Sequence, residues 1–160
     1  MHDLVGQYAA TLGERHAGID QRDQDLRWLL HYYTGTAEAA DARLDPTVTD
    51  PLPNGQGDGF ATREQSPAWL DAELPNLMAA AHTAANGHPA IANSLALIPA
   101  RLLGRRRLFN DWLTLATLAR DTATRAADRA SEGQALGNLG LVLLQVGRFG
   151  DAIACRGRGA

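Results

Sequence analysis

The chain has 160 residues, 45% apolar, 21% charged and only 6% aromatic, and its 15 basic and 18 acidic side chains leave a formal charge of -3. A single domain of this length buries roughly 68 to 70% of its unfolded surface, so no staple is required, and the lone Cys155 excludes an internal disulfide framework. There is no lysine, which excludes Schiff-base chemistry and the lysine of a phosphate-cradling GxxxxGK[ST] loop, while the mildly acidic balance argues against gripping nucleic acid by its phosphates.

Alanine and leucine make up about a third of the residues, while valine, isoleucine and the aromatics are scarce, which favours helix over strand throughout. Leu4, Tyr8 and Leu12 define one face of a first helix. Leu26, Leu30, Tyr33, Ala37, Ala40 and Leu44 do the same for a long second one, with Asp20 as its expected cap. From Asp45 to Ala61 the pattern stops, and Pro46, Pro51, Pro53, Gly55, Gly57 and Gly59 mark a linker.

Periodicity returns with Trp69, Leu70, Leu74, Leu77, Ala81 and Ala84. Thr62 is placed to cap this segment, Pro67 and Pro75 are expected to split it into two short helices, and Gly87 ends it. Pro89 suits the first turn of the next helix, whose buried side is Ile91, Leu95, Ile98 and Leu102. Pro99 predicts a kink there and Gly104 a stop. Leu108, Trp112, Leu115, Ala119, Thr122 and Ala126 form another helix. Ser131 is the expected cap of the one after it, which buries Leu136, Leu139, Leu143 and Val146 and closes at Gly147. A short helix follows Phe149. Connections this brief force neighbours to run antiparallel, so the expected architecture is all-α, a partial solenoid of helical hairpins.

The stretch Leu136 to Ile153 resembles the first two-thirds of a tetratricopeptide repeat, a helical hairpin of about 34 residues. Leu139 with Gly140 stands at its Leu-Gly pair, Gly147 at its turn, Phe149 at its turn aromatic and Ala152 at its second-helix alanine. The chemistry agrees with that placement. Small residues at 140 and 152 let two helices approach closely, Gly147 tolerates a left-handed turn, and Phe149 is expected to plug the hairpin base. The pattern then fails: Arg156 takes the second-helix aromatic position, and Gly157, Arg158, Gly159 and Ala160 are not expected to continue a helix. A repeat cut short leaves its apolar face uncovered, which predicts exposed apolar surface and self-association through the C-terminal end.

Met1, His2 and Asp3, followed by Leu4, Val5, Tyr8 and Ala9, look like the Met-His-Asp motif that closes the winged-helix part of bacterial signal-transducing NTPases with an NB-ARC module. Trp69, Leu70, Asp71, Ala72, Glu73, Asn76 and Leu77 look like the stretch that follows that module, and Asp111 with Trp112 like its later helices. The chain is thus similar to the segment joining ATPase to tetratricopeptide sensor in actinobacterial regulators of the antibiotic-regulatory type. The resemblance implies a remnant winged-helix element plus the long helix over 1–44, a loop over 45–61 and a tetratricopeptide-like array over 62–160. It also implies that His2 contacts the diphosphate of bound ADP, but only where an NB-ARC module is present. No phosphate loop, magnesium-binding acidic strand or DNA-binding domain is found in this sequence.

Weaker candidates have blander readings. Arg105, Arg106 and Arg107 suit a solvated turn better than a phosphate site. Gly55, Gly57 and Gly59 lack dinucleotide-fingerprint spacing and a preceding strand. His16, His31, His82 and His88 show no metal-ligand spacing, and Asp20, Asp23 and Asp25 suit a helix dipole. Trp28, Trp69 and Trp112 are expected core anchors. Cys155 shows no adjacent base. With no apolar run near the 18 or so residues of a membrane span and no secretory h-region, a cytoplasmic protein is expected. The expectation is therefore a non-catalytic module without metal or cofactor, docking a protein or peptide partner inside a larger regulator. A nucleotide-dependent switch working with an ATPase in trans and a DNA-binding regulator are the alternatives.

Overall fold

The structure is a computed structural model that describes residues 19–44 and 65–158. Seven helices and no strand occur among them: α1 (Ile19–Ala42), α2 (Gln65–Ala84), α3 (Pro89–Leu97), α4 (Ala100–Arg106), α5 (Phe109–Arg125), α6 (Arg129–Gln145) and α7 (Phe149–Arg158). Consecutive helices pack against each other along the chain, α3 and α4 excepted, and α3 also lies on α1, α5 and α6. The first helix expected in the sequence, the linker from Asp45 to Ala61, Thr62, His2 and His16 lie outside the described residues. None of the described helices is long and apolar enough to cross a membrane.

The apolar stripes bury as their spacing requires. Leu30, Tyr33, Ala37, Ala40 and Leu44 of α1, Leu70, Leu74, Leu77, Ala81 and Ala84 of α2, and Leu95 and Leu102 of α3 and α4 form one continuous core. Alanine at so many contact positions lets the helix axes come close, which is why a chain poor in large side chains still closes its interior. Tyr33 and Asn76 both donate to Oε2 of Glu73, at 3.3 and 2.9 Å, tying α1 to α2 where they meet solvent.

The two internal prolines behave differently from expectation. Instead of dividing α2, Pro75 sits within one continuous helix, and Pro67 occupies its first turn, where the missing N–H is unneeded. Pro75 costs about 3 kcal/mol in a helix interior, but Leu70, Leu74 and Leu77 are buried on both sides of it, and each burial returns about 1.5 to 3 kcal/mol. Pro75 and Asp71 are exposed, so the carbonyl freed by the ring opens to water. Pro99 is fully buried, and there the expected kink is a complete division between α3 and α4. A carbonyl left unpaired at buried Leu95 has no water to turn to, so the chain leaves the helix and restarts, with Leu103 N–H bonding to Pro99 C=O at 2.9 Å.

Helix starts then recur at Pro89, Phe109, Arg129 and Phe149, twenty residues apart. The last three turns are the same object. Arg107, Ala127 and Gly147 are left-handed, with φ of 58°, 54° and 76°. The following N–H of Leu108, Asp128 and Arg148 reaches back to the carbonyl of Leu103, Ala123 and Leu143 at 2.9, 3.1 and 2.8 Å, the double-bonded ending that satisfies orphan helix carbonyls. Gly147 thus holds the turn role assigned to it. Gly104 does not stop its helix, which runs on to Arg106; its missing side chain instead makes room for the Trp112 ring, which a Cβ there would meet at 3.2 Å.

Other caps also differ from expectation. Asp20 lies inside α1 rather than ahead of it. The cap of α6 is Asp128, and Ser131 is its donor, bonding Oδ1 through its N–H at 3.1 Å and Oδ2 through its hydroxyl at 2.6 Å. Those hydrogen bonds, the hydroxyl first and the amide second, hold the Asp128 carboxyl below the ordinary aspartate value of 3.8. At the far end, α7 continues through Gly157 to Arg158, past the point where glycine was expected to end it.

Candidate protein-docking face

The helix α6 carries more apolar residues than one stripe needs. Ala135, Leu136, Leu139, Val142 and Leu143 are buried, and α5 lies across them through the hydrogen bond from Trp112 Nε1 to Asn138 Oδ1 at 2.5 Å. Gly140 faces α7, where a Cβ would stand 3.8 Å from the Ala152 carbonyl oxygen and 3.9 Å from Cys155 Cβ. The small pair at 140 and 152 therefore does bring the two helices into close contact, with Leu139, Gly140 and Ala152 all buried.

What remains is a second stripe. Gly137, Leu141 and Leu144, spaced four and three apart, face outward, with Leu141 55% and Leu144 46% exposed. On α7 the matching row is Phe149, Ile153 and Arg156, with Phe149 63% and Ile153 72% exposed. Between the rows runs a groove of about 310 Å³ whose lining includes Gly137, Gly140, Leu141, Leu144, Ile153 and Arg156. Among the described residues its only charged lining group is Arg156. Apolar surface is thus exposed at this end, as expected, at Leu141, Leu144, Phe149 and Ile153.

Phe149 is the principal correction: it does not plug the hairpin base but stands in solvent at the first position of α7. A residue at a helix start projects outside the turn beneath it, and that turn is already closed by the Arg148 N–H bond to Leu143. Val146, expected in the core, is exposed, and Val142 takes its place in the interior. The signal for this face was available in the density of apolar residues from Leu136 to Val146, which exceeds the width of one buried stripe.

The chain itself shows what such a groove accommodates. One hairpin earlier, α3 and α5 form the equivalent pair, and there α6 lies on both, with Asn138 on the Trp112 indole. A helix fills the place that is open beside α6 and α7.

Elsewhere the polar candidates are engaged within the molecule. Arg105 donates to the Leu44 carbonyl at 2.9 Å, Arg106 pairs with Asp71 through two nitrogens, and the Arg107 guanidinium lies 5.8 Å from the Phe109 ring centroid. These three bind the turn to its surroundings. His88 lies 3.7 Å from Asp23, joining α1 to the start of α3, while His31 and His82 are exposed. Among the described residues no group of His, Cys, Asp and Glu is arranged to hold a metal. Trp112 is buried and Trp69 packs against the core, but Trp28 is 59% exposed and stacks on Tyr32 at 5.9 Å, so it anchors nothing. Cys155 is buried on the inner side of α7. A second depression of about 240 Å³ between α5 and α7 is edged by Arg120 and by the Arg148–Asp151 pair, over a floor of Leu139 and Leu143.

Comparison of the chain with protein-family models, with curated proteins and with solved structures found no match.

Proposed function

We propose that the chain is a non-catalytic helical scaffold that docks another helix, acting as the tetratricopeptide-like interaction and sensing portion of a signal-transducing regulator. The observation that carries the docking reading is the exposed row of Leu141, Leu144 and Ile153 around a groove floored by glycine and alanine. Contiguous apolar surface of this kind marks interaction sites, and two parallel stripes at helical spacing suit an amphipathic helix laid between them. The tetratricopeptide reading rests on Leu139, Gly140, Gly147 and Ala152 in their motif positions. The hairpin period of forty residues from Phe109 to Phe149 is longer than the repeat's usual 34 or so, each helix having gained most of a turn. The regulator reading rests on the resemblance alone, and with it the role of His2 toward ADP.

Fluorescence anisotropy with a hydrocarbon-stapled peptide copying Arg129–Gln145 tests the docking reading. Saturable binding to the wild-type chain that disappears in Ile153→Glu is expected; an unchanged signal across the titration overturns it. Calorimetric titration of the chain with ADP is expected to show no heat, and a binding isotherm would favour the nucleotide switch instead.

A further inference from the structure

We infer that Asn86, in the turn between α2 and α3, is a site of self-modification at which the backbone nitrogen of Gly87 closes on the Asn86 side chain. The chemistry needs an asparagine whose amide is free and a following residue that lets its own nitrogen approach; glycine alone lacks the Cβ that obstructs this. Of the described asparagines, only Asn86 precedes a glycine. Asn76 donates to Glu73, Asn138 accepts from the Trp112 indole and Asn93 is buried. Asn86 and Gly87 are both exposed, and the Asn86 amide makes no hydrogen bond to a described residue.

The fold gives Gly87 no other task. Its backbone is not left-handed, unlike that of Gly147, and a Cβ there would meet nothing within 4 Å. Its N–H is also lightly held. The Ala84 carbonyl accepts from Gly87 at 3.2 Å and from His88 at 2.7 Å, so the second bond keeps the turn closed when the first is given up. In the reaction the Gly87 nitrogen loses its proton to water and bonds to the Asn86 side-chain carbonyl carbon, while the side-chain nitrogen takes up a proton and leaves as ammonia. Water then opens the succinimide ring at either carbonyl, giving aspartate or isoaspartate at 86. The net change is amide plus water to carboxyl plus ammonia, with no redox partner. Isoaspartate routes the backbone through an extra methylene, which lengthens the loop that the His88 N–H closes on Ala84. His88 also lies 3.7 Å from Asp23, so the corner where α1, α2 and α3 meet is loosened. Both products place a carboxylate just past the C-terminal end of α2, where the helix dipole disfavours it.

Incubation of the purified full chain at neutral pH, followed by brief tryptic digestion and fragment mass spectrometry, tests the inference. Cleavage after Arg43, Arg63 and Arg101 puts Asn54, which also precedes a glycine, and Asn86 in separate peptides. The folded chain is expected to accumulate both aspartate and isoaspartate at 86, and a urea-unfolded sample to do so no more than a few-fold faster. Gly87→Ala is expected to lose most of the conversion while its thermal midpoint holds or rises, since the space there is open and alanine restricts the unfolded chain. The converted wild-type chain is expected to melt below the fresh one, and Asn86→Asp, which adds the charge without the methylene, to melt between them. An Asn86 that stays intact in the folded chain but converts in urea overturns the inference, because the turn then protects it. Conversion to aspartate alone, or conversion undiminished in Gly87→Ala, also overturns it, since either means direct hydrolysis without the ring.

Discussion

The groove between α3 and α5 and the groove between α6 and α7 are built to one plan and end in opposite states. In the first, α6 lies on both helices, and its Asn138 holds the Trp112 indole nitrogen. In the second, Gly137 has nothing near it, and leucine and isoleucine stand in solvent. The difference teaches that the hairpin buries its own inner face, while its outer face is buried by the next helix along. Residue type alone therefore does not distinguish a core position from a docking position.

Substitutions can widen or erase that contrast. The largest effect belongs to the filled groove: Trp112→Ala is expected to cost about 3 to 5 kcal/mol in urea denaturation, because it removes the ring and strands Asn138. Ile153→Ala, its counterpart at the open end, is expected to shift the unfolding free energy of the monomer by less than about 0.5 kcal/mol. Equal losses at the two sites would mean that Ile153 is covered within the monomer.

The turns give an intermediate effect of opposite signs. Gly147→Ala forces a side chain into a left-handed backbone and is expected to destabilise by about 1 kcal/mol, whereas Ala127→Gly relieves the same strain and is expected to stabilise by a similar amount. Chemical denaturation of the pair reads both.

The smallest effect is a pH dependence at the α6 cap. Since the folded Asp128 carboxyl titrates below 3.8, its contribution is fully present above that pH and is lost as the pH falls through the folded value. The gap in melting temperature between wild type and Asp128→Ala is therefore expected to be constant near neutrality and to narrow in acid. A gap that widened on acidification would contradict the cap.

Much of the helical fold was legible because burial imposes a period that survives in the sequence; Leu30, Tyr33, Ala37 and Ala40 are buried at the spacing read from the sequence. Local punctuation was less reliable. Pro75 and Pro99 are indistinguishable in sequence, and which one breaks its helix depends on whether the freed carbonyl meets water or core. Asp128 and Ser131 are both good caps, and the turn geometry set by left-handed Ala127 selects the aspartate. The docking face is half visible in the sequence: Gly140 and Ala152 of its floor stand at motif positions, but nothing marks Leu141 and Leu144 as exposed, because an apolar residue on a helix has the same pattern whether or not a neighbour covers it. Phe149 is the reverse case: an aromatic beside a turn has the composition of a plug, yet here it stands in solvent.

The even spacing of the left-handed residues at 107, 127 and 147 has a bearing on how such a chain can change length. Removing or duplicating forty residues between equivalent turns would rejoin the backbone in the conformation it already has, whereas twenty would reverse the direction of every later helix and any other number would rotate one stripe off its partner. Insertions and deletions in a lineage of such chains should accordingly come in whole hairpins, and a gene of this kind would grow or shrink by copying units instead of by drift at single codons.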